Sequence, residues 1–331
     1  MTSQDNVTKE QPWPIRVGAE LVGTFLICFA VYMFGTFGSI VISANLAYIA
    51  LGTGAAYAAA VYALGWVSGG HFNPAVTVAA MLTGRTKLVD GVLYIVFQTL
   101  GAALAALLLR FLLPTSSTVT LSQWLTTAVN GFDKGSVAYT TLNQYGLSLS
   151  ITQAIAVEIV AGLVIVGTAM ATYGTRRYAL ATGVAYALAA AVTFPVTGAA
   201  LNPARSTGIA MIAQNQGLQV EPLSQLWVFW ICPVLAAALV ALAMIVLQMV
   251  HAPKSKGDDP KQLDGYDEAA ASAGETTAVE GSESDASASA SETSASAATV
   301  AGSVEPGEVS AEVEGQQAQS EADADSGVER H

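Results

Sequence analysis

Six apolar stretches, separated by polar or glycine-rich connections, occupy most of the first 250 residues: 16–37, 45–67, 89–113, 151–172, 179–197 and 225–250. Each is close to the roughly 20 residues that a helix needs to cross the hydrocarbon core of a bilayer. A soluble chain with six such segments would have no polar surface to face water. The pattern therefore predicts an all-α integral membrane protein with six transmembrane helices. The first stretch is too long for the apolar region of a signal peptide and lacks a convincing cleavage site, so it reads as a span.

Two further apolar segments, Asn73–Met81 and Asn202–Met211, are helix-compatible but too short to cross. Each opens with Asn followed by Pro. Asparagine is a strong N-cap, and proline suits the first helical position because its missing N–H is not needed there. Small residues precede both, Gly69-Gly70 in one and Gly198-Ala199-Ala200 in the other, and these permit an extended backbone with exposed carbonyls. The reading is of two re-entrant half-helices.

The two segments sit in matching places of an internal duplication. A-E-L-V-G-T-F (19–25) is followed by a second span and then S-G-G-H-F-N-P-A-V-T-V (68–78). V-E-I-V-A-G (157–162) is followed by a span and then T-G-A-A-L-N-P-A-R-S-T (197–207). Each repeat, about 16–113 and about 151–250, holds three spans. An odd number inverts the second copy relative to the first, and functional elements of inverted repeats lie at the midplane. The half-helices would enter from opposite faces and meet N-terminus to N-terminus. Irregular backbone at that depth is tolerable only when buried or lining a water-filled cavity. Two facing N-termini concentrate positive potential. A cation would meet a barrier there, whereas water could accept a hydrogen bond from each Asn amide, and its fixed orientation would interrupt a proton-conducting chain.

Charge divides the chain near Pro253. Residues 1–253 carry 9 Lys/Arg and 7 Asp/Glu, whereas 254–331 carry 4 and 18, so the formal charge of −12 belongs to the tail. That acidic, Ser/Ala-rich tail cannot bury enough apolar surface to fold and is expected to be a disordered cytoplasmic segment, its partner unspecified. Residues 1–15 read as a short cytoplasmic arm. The nearly neutral body gives no indication of nucleic acid binding. Arg16, Arg85, Lys87, Arg176, Arg177, Lys254 and Lys256 fall on one side of the spans, against Lys134 and Arg110 on the other. This puts both termini in the cytoplasm of a multi-pass protein of the cell membrane. In the loop over 114–150, Trp124 and Tyr145 could sit at the membrane interface. Cys28 and Cys232 lie inside spans and read as small buried hydrophobes. No metal spacing, nucleophile–base pairing or cofactor loop stands out, which argues against an enzyme.

Paired Asn-Pro-Ala motifs, Asn73-Pro74-Ala75 and Asn202-Pro203-Ala204, each opening a half-helix in an inverted repeat, resemble the aquaporin and aquaglyceroporin (major intrinsic protein) family in its bacterial-type form. The resemblance covers about 16–250. It implies a right-handed six-helix bundle, one pore per subunit, a homotetramer, and passage of water and small neutral solutes. It also implies a filter arginine, matched by Arg205, and a ladder of acceptor carbonyls, matched by Gly69, Gly70, His71, Gly198, Ala199 and Ala200. Glu20 and Glu158, costly inside a membrane, would brace the re-entrant loops. Counting back from the motifs places Thr53, Ala190 and Ala199 beside Arg205. Three small side chains there depart from the bulky filters of the family and favour a pore wide enough for glycerol. Ser206 and Ala210, with Phe229 and Trp230, resemble the water-selective members instead. A strictly water-selective pore is therefore the alternative, and a secondary active transporter the remote one.

Overall fold

The computed structural model describes residues 11–43 and 46–251; the acidic tail from 254 and most of the N-terminal arm lie outside the described residues. All described elements are helical: α1 (Trp13–Met33), continued by a π-helical turn at Phe34–Gly38, α2 (Leu46–Ser68), α3 (Pro74–Leu82), α4 (Leu88–Leu112), α5 (Leu121–Thr126), α6 (Val137–Asn143), α7 (Ile151–Thr172), α8 (Tyr178–Thr197), α9 (Pro203–Ala213), α10 (Pro222–Gln225) and α11 (Val228–His251). Six stretches are long and apolar enough to cross a membrane: Trp13–Gly38, Leu46–Ser68, Leu88–Leu112, Ile151–Thr172, Tyr178–Thr197 and Pro222–His251. The expected arm over 1–15 is too long by three residues. Trp13 already begins α1, with Pro14 in the first turn, where a missing N–H leaves nothing unpaired.

Burial runs opposite to that of a soluble protein. Tyr62 and Phe111 are both 84% exposed on the outer surface, while Glu20 and Glu158 are fully buried. Packing follows the duplication. The α1–α4 contact has its counterpart in α7–α11, α1–α2 in α7–α8, and α4–α9 in α3–α11. Each half-helix thus leans on a long helix of the opposite repeat. The two repeats meet along α2 and α8. There a Cβ on Gly54 would stand 2.4 Å from the Gly183 carbonyl, and a Cβ on Gly183 would stand 2.7 Å from the Gly54 carbonyl. With lipid as apolar as the helices themselves, such glycine contacts replace the hydrophobic effect as the source of close helix association.

The loop over 114–150 differs from expectation at Trp124. Tyr145 is exposed, but Trp124 is buried in α5, its ring 4.8 Å from Phe37 and its indole N–H donated to the Pro114 carbonyl at 2.7 Å. A capping box formed by Thr120 and Gln123 starts α5 and turns that tryptophan inward.

Candidate functional site

At the centre of the fold α3 and α9 point their N-termini at each other. Asn73 and Asn202 cap them from an extended backbone. The Asn73 Oδ1 accepts from the Ala75 amide at 2.8 Å; the Asn202 Oδ1 accepts from Ala204 at 2.9 Å and from Arg205 at 3.3 Å. Pro74 and Pro203 are the first helical residues. The side-chain amides then cross between repeats. Asn73 Nδ2 donates to the Leu201 carbonyl at 3.0 Å, and Asn202 Nδ2 donates to the Phe72 carbonyl at 2.8 Å. Phe72 and Leu201, each immediately before its motif, have φ of +48° and +59°. This left-handed backbone is strained for such side chains by of order 1 kcal/mol each. It turns each carbonyl toward the opposite asparagine, and the reciprocal bonds hold it there.

A side-chain amide carries two N–H bonds, and the second of each is also taken. Asn73 Nδ2 donates to the Tyr186 hydroxyl at 2.6 Å, and Asn202 Nδ2 donates to the Tyr57 hydroxyl at 2.8 Å. The two rings lie face to face, centroids 3.3 Å apart and planes within 7°. Sequence reasoning assigned these N–H groups to passing water; in the structure phenolic oxygens occupy them. Tyr57, Tyr186, Asn73, Asn202, Thr53, Ala190, Ala199 and Arg205 are each no more than 4% exposed, so the centre is tightly packed.

Glu20 gathers the first re-entrant segment. One carboxylate oxygen accepts from the Ser68 hydroxyl at 2.6 Å and the His71 amide at 3.0 Å. The other accepts from the Phe72 amide and the Gln98 side chain, both at 2.7 Å. Glu158 takes the matching place in the second, accepting from the Thr197 hydroxyl and, at 3.2 Å, from the Leu201 amide.

On the side of α9, Arg205 donates to the side chain of Asn130 and to the Gly198 carbonyl at 3.4 Å, and its guanidinium lies 5.7 Å from the Tyr32 ring centre. Asn130 also accepts from Ser206 at 2.8 Å and donates to the carbonyls of Thr197 and Gly198 at 3.1 and 2.9 Å. The backbone is left-handed again at Gly198 and Ala199 (φ +73° and +54°), and the Ala200 carbonyl accepts from the Asn202 amide. Thr53 turns its hydroxyl back onto the Ile49 carbonyl at 2.8 Å. Ala190 and Ala199 share one buried cluster with Tyr57 and Tyr186. The opposite end, which carries Arg16 and Arg85, opens into a cavity of about 910 Å³ that reaches Ser68, Gly69 and Tyr173. His71 is buried there, its ring between Thr77 at 3.2 Å and the Tyr173 hydroxyl at 3.3 Å, while the Gly70 carbonyl accepts from Tyr178 at 3.0 Å. Gly69, at φ +97°, leaves the space that Tyr173 fills: a Cβ there would stand 2.3 Å from the phenol oxygen.

Sequence reasoning missed Tyr57, Tyr186, Asn130, Gln98 and Tyr173. For the first two a signal existed. Tyr57 precedes Asn73 by 16 residues, and Tyr186 precedes Asn202 by the same 16. Asn130, Gln98 and Tyr173 have no such symmetry mate at the site. Of the aromatics around the start of α11, Phe229 is buried, Trp227 is 46% exposed, and Trp230 donates its indole N–H to Thr207 of α9 at 2.9 Å.

Comparison with known proteins agrees with this architecture. The family model for the major intrinsic proteins matches residues 10–244. The chain is 31% identical over 227 residues to Aquaporin Z of Photorhabdus laumondii, covering 66% of this chain and 91% of that protein. It is 31% identical over 239 residues to Aquaporin Z of Brucella melitensis, covering 69% and 95%. Among solved structures, the aquaglyceroporin of Plasmodium falciparum shares the fold with a TM-score of 0.55 at 18% identity, over 70% of this chain and 95% of that one. The family match takes in both motif segments and both bracing glutamates; the chain belongs to the major intrinsic protein family, whose members are multi-pass membrane channels rather than enzymes.

Proposed function

We propose that this protein is a passive channel for water and for small uncharged solutes such as glycerol, and that it holds back ions and protons. The observation that carries the reading is the reciprocal bonding of Asn73 to Leu201 and Asn202 to Phe72, which fixes two helix N-termini against each other. Their dipoles leave a positive potential at the meeting point, and the Arg205 guanidinium adds a full charge on one side. Neutral molecules feel neither barrier. Thr53, Ala190 and Ala199 with Arg205 form the filter in this reading, and their small size removes the steric bar to a three-carbon polyol. Glu20 and Glu158 brace the re-entrant segments, and carbonyls of Gly69, Gly70, His71 and Ala200 offer acceptors along the path, while that of Gly198 becomes available when Arg205 turns to a passing solute. The charge pattern supports cytoplasmic termini in the cell membrane, and the family supports assembly as a homotetramer.

A strictly water-selective pore is the second reading, favoured by the two relatives named as aquaporins. Light scattering from proteoliposomes under osmotic gradients of impermeant solute, glycerol and urea tests both. Water and glycerol flux above that of empty liposomes, unchanged by sodium or proton gradients, is the expected result. Water flux without glycerol flux selects the second reading, and gradient-dependent solute uptake overturns the channel.

A further inference from the structure

One buried row on α2 and one on α8 run through the tyrosine pair at four-residue spacing, which keeps side chains on one helical face. On α2 the row is Ile49, Thr53, Tyr57 and Val61. On α8 it is Tyr178, Thr182, Tyr186 and Ala190. All eight residues are buried. Where the proposed filter has an alanine and a threonine, the midplane has two phenols. Bulk is therefore missing at the end of the path and concentrated at its centre.

Two features distinguish the pair from ordinary core packing. Parallel rings centred 3.3 Å apart form a face-to-face sandwich, the arrangement that aromatic quadrupoles disfavour against offset or edge-on pairs with centroids about 4.5–7 Å apart. The pair is held by its hydroxyls, each of which accepts an N–H from a motif asparagine. Those are the donors that a permeating molecule would need. There is also a place for a ring to turn toward. Helical side chains lean to the N-terminal side, over the residue four back. For Tyr186 that residue is Thr182, whose buried hydroxyl has no hydrogen-bond partner among the described residues.

We propose that Tyr57 and Tyr186 form the gate and specificity-determining constriction of this channel, at the midplane rather than at the Arg205 filter. The proposal rests on the channel reading above. A solute passes when the rings part, and its own oxygen then takes the amide hydrogens that the phenols release. Size selection is made between the rings, so the small filter residues do not by themselves set the cut-off.

The test is stopped-flow water and glycerol flux in proteoliposomes of the full chain and three variants: Tyr57→Phe, Tyr186→Phe and the double variant Tyr57→Val/Tyr186→Val. Each phenylalanine keeps the ring and removes the bond that holds it. Unit water flux should rise about fivefold in each, the Boltzmann equivalent of one net hydrogen bond. The double valine variant should raise glycerol flux at least tenfold and more than it raises water flux. Unchanged flux in both phenylalanine variants, or an unchanged glycerol-to-water ratio in a monodisperse double variant, overturns the gate. Should the double variant not fold, the near-isosteric phenylalanine variants decide alone. No water flux from the parent or any variant overturns the channel reading itself and the gate with it, whereas a conducting parent with inert variants overturns the gate alone.

Discussion

A carboxylate inside a bilayer is tolerable only where donors surround it, and the two in this protein are surrounded unequally. Glu20 accepts from two backbone amides, a serine and a glutamine; Glu158 accepts from a threonine and the backbone amides of Leu201 and Ala200, one donor fewer. Each buried donor left unpaired costs about 1–3 kcal/mol. Glu20→Ala should therefore lower the thermal unfolding temperature in detergent more than Glu158→Ala, with Glu20→Gln between Glu20→Ala and the parent. Equal losses from the two alanine variants would show that the donors around Glu20 find other partners. The glutamates and the capping asparagines were legible from sequence because each breaks a rule that a spanning helix otherwise keeps. Tyr57 and Tyr186 break none. A tyrosine in an apolar stretch also suits packing or a membrane interface, and only the equal spacing to the two motifs betrays the pair. Asn130 was illegible for another reason. It lies in a polar loop, 75 residues from the arginine that it meets, and no local pattern encodes that distance.

Between elements, contact is set by how closely backbones approach. Gly208, in the middle of α9, faces α4 so closely that a Cβ would stand 2.4 Å from the Ala102 carbonyl carbon. Nothing flexible can give way there, so Gly208→Ala must push α9 off α4. Overpacking of this kind costs about 1–3 kcal/mol. Because α9 carries Asn202 and Arg205 at its start, the shift should reach the site. Gly208→Ala is expected to lower both the unfolding temperature and water flux, whereas Gly84→Ala, where the added Cβ meets nothing within 4 Å, should leave water flux unchanged despite its left-handed backbone. Equal flux from Gly208→Ala and the parent would show that α9 shifts without disturbing its own N-terminus. The half-helices themselves were readable from length and caps alone. The short helices α5 and α6 were not, since the loop they interrupt is polar and short turns of helix leave little periodicity. The loop's role depends on them nonetheless. Asn130→Ala would leave the Arg205 guanidinium and the Ser206 hydroxyl without their shared acceptor. Retained insertion with measurably higher proton leak in dye-loaded liposomes is the expected result, and a proton leak equal to that of the parent would show that Arg205 is held by its remaining contacts.

At the scale of the whole chain, two parts with opposite character are joined near Pro253. The body carries a net charge of +2 by residue count, and the tail from 254 carries −14. The family match ends at residue 244, and the last candidate span ends at His251. The hydrogen bonds around the two motifs run from Glu20 to Ser206, and Trp230 of α11 adds one to Thr207 of α9. Neither the half-helices nor their bracing glutamates need anything beyond α11. An acidic, serine- and alanine-rich segment has little apolar surface to add to such a bundle. It would also gain little from contact with lipid headgroups of like charge. Removal of residues 258–331 should therefore leave membrane insertion, oligomer size in detergent and water flux per protein within error of the parent. The measurement is size-exclusion chromatography with light scattering, followed by stopped-flow flux normalised to reconstituted protein. A truncated protein that inserts normally but conducts several-fold more or less water would make the tail a regulator of the pore. One that loses its oligomeric state would make it part of the assembly, and in either event the channel could no longer be equated with its duplicated body.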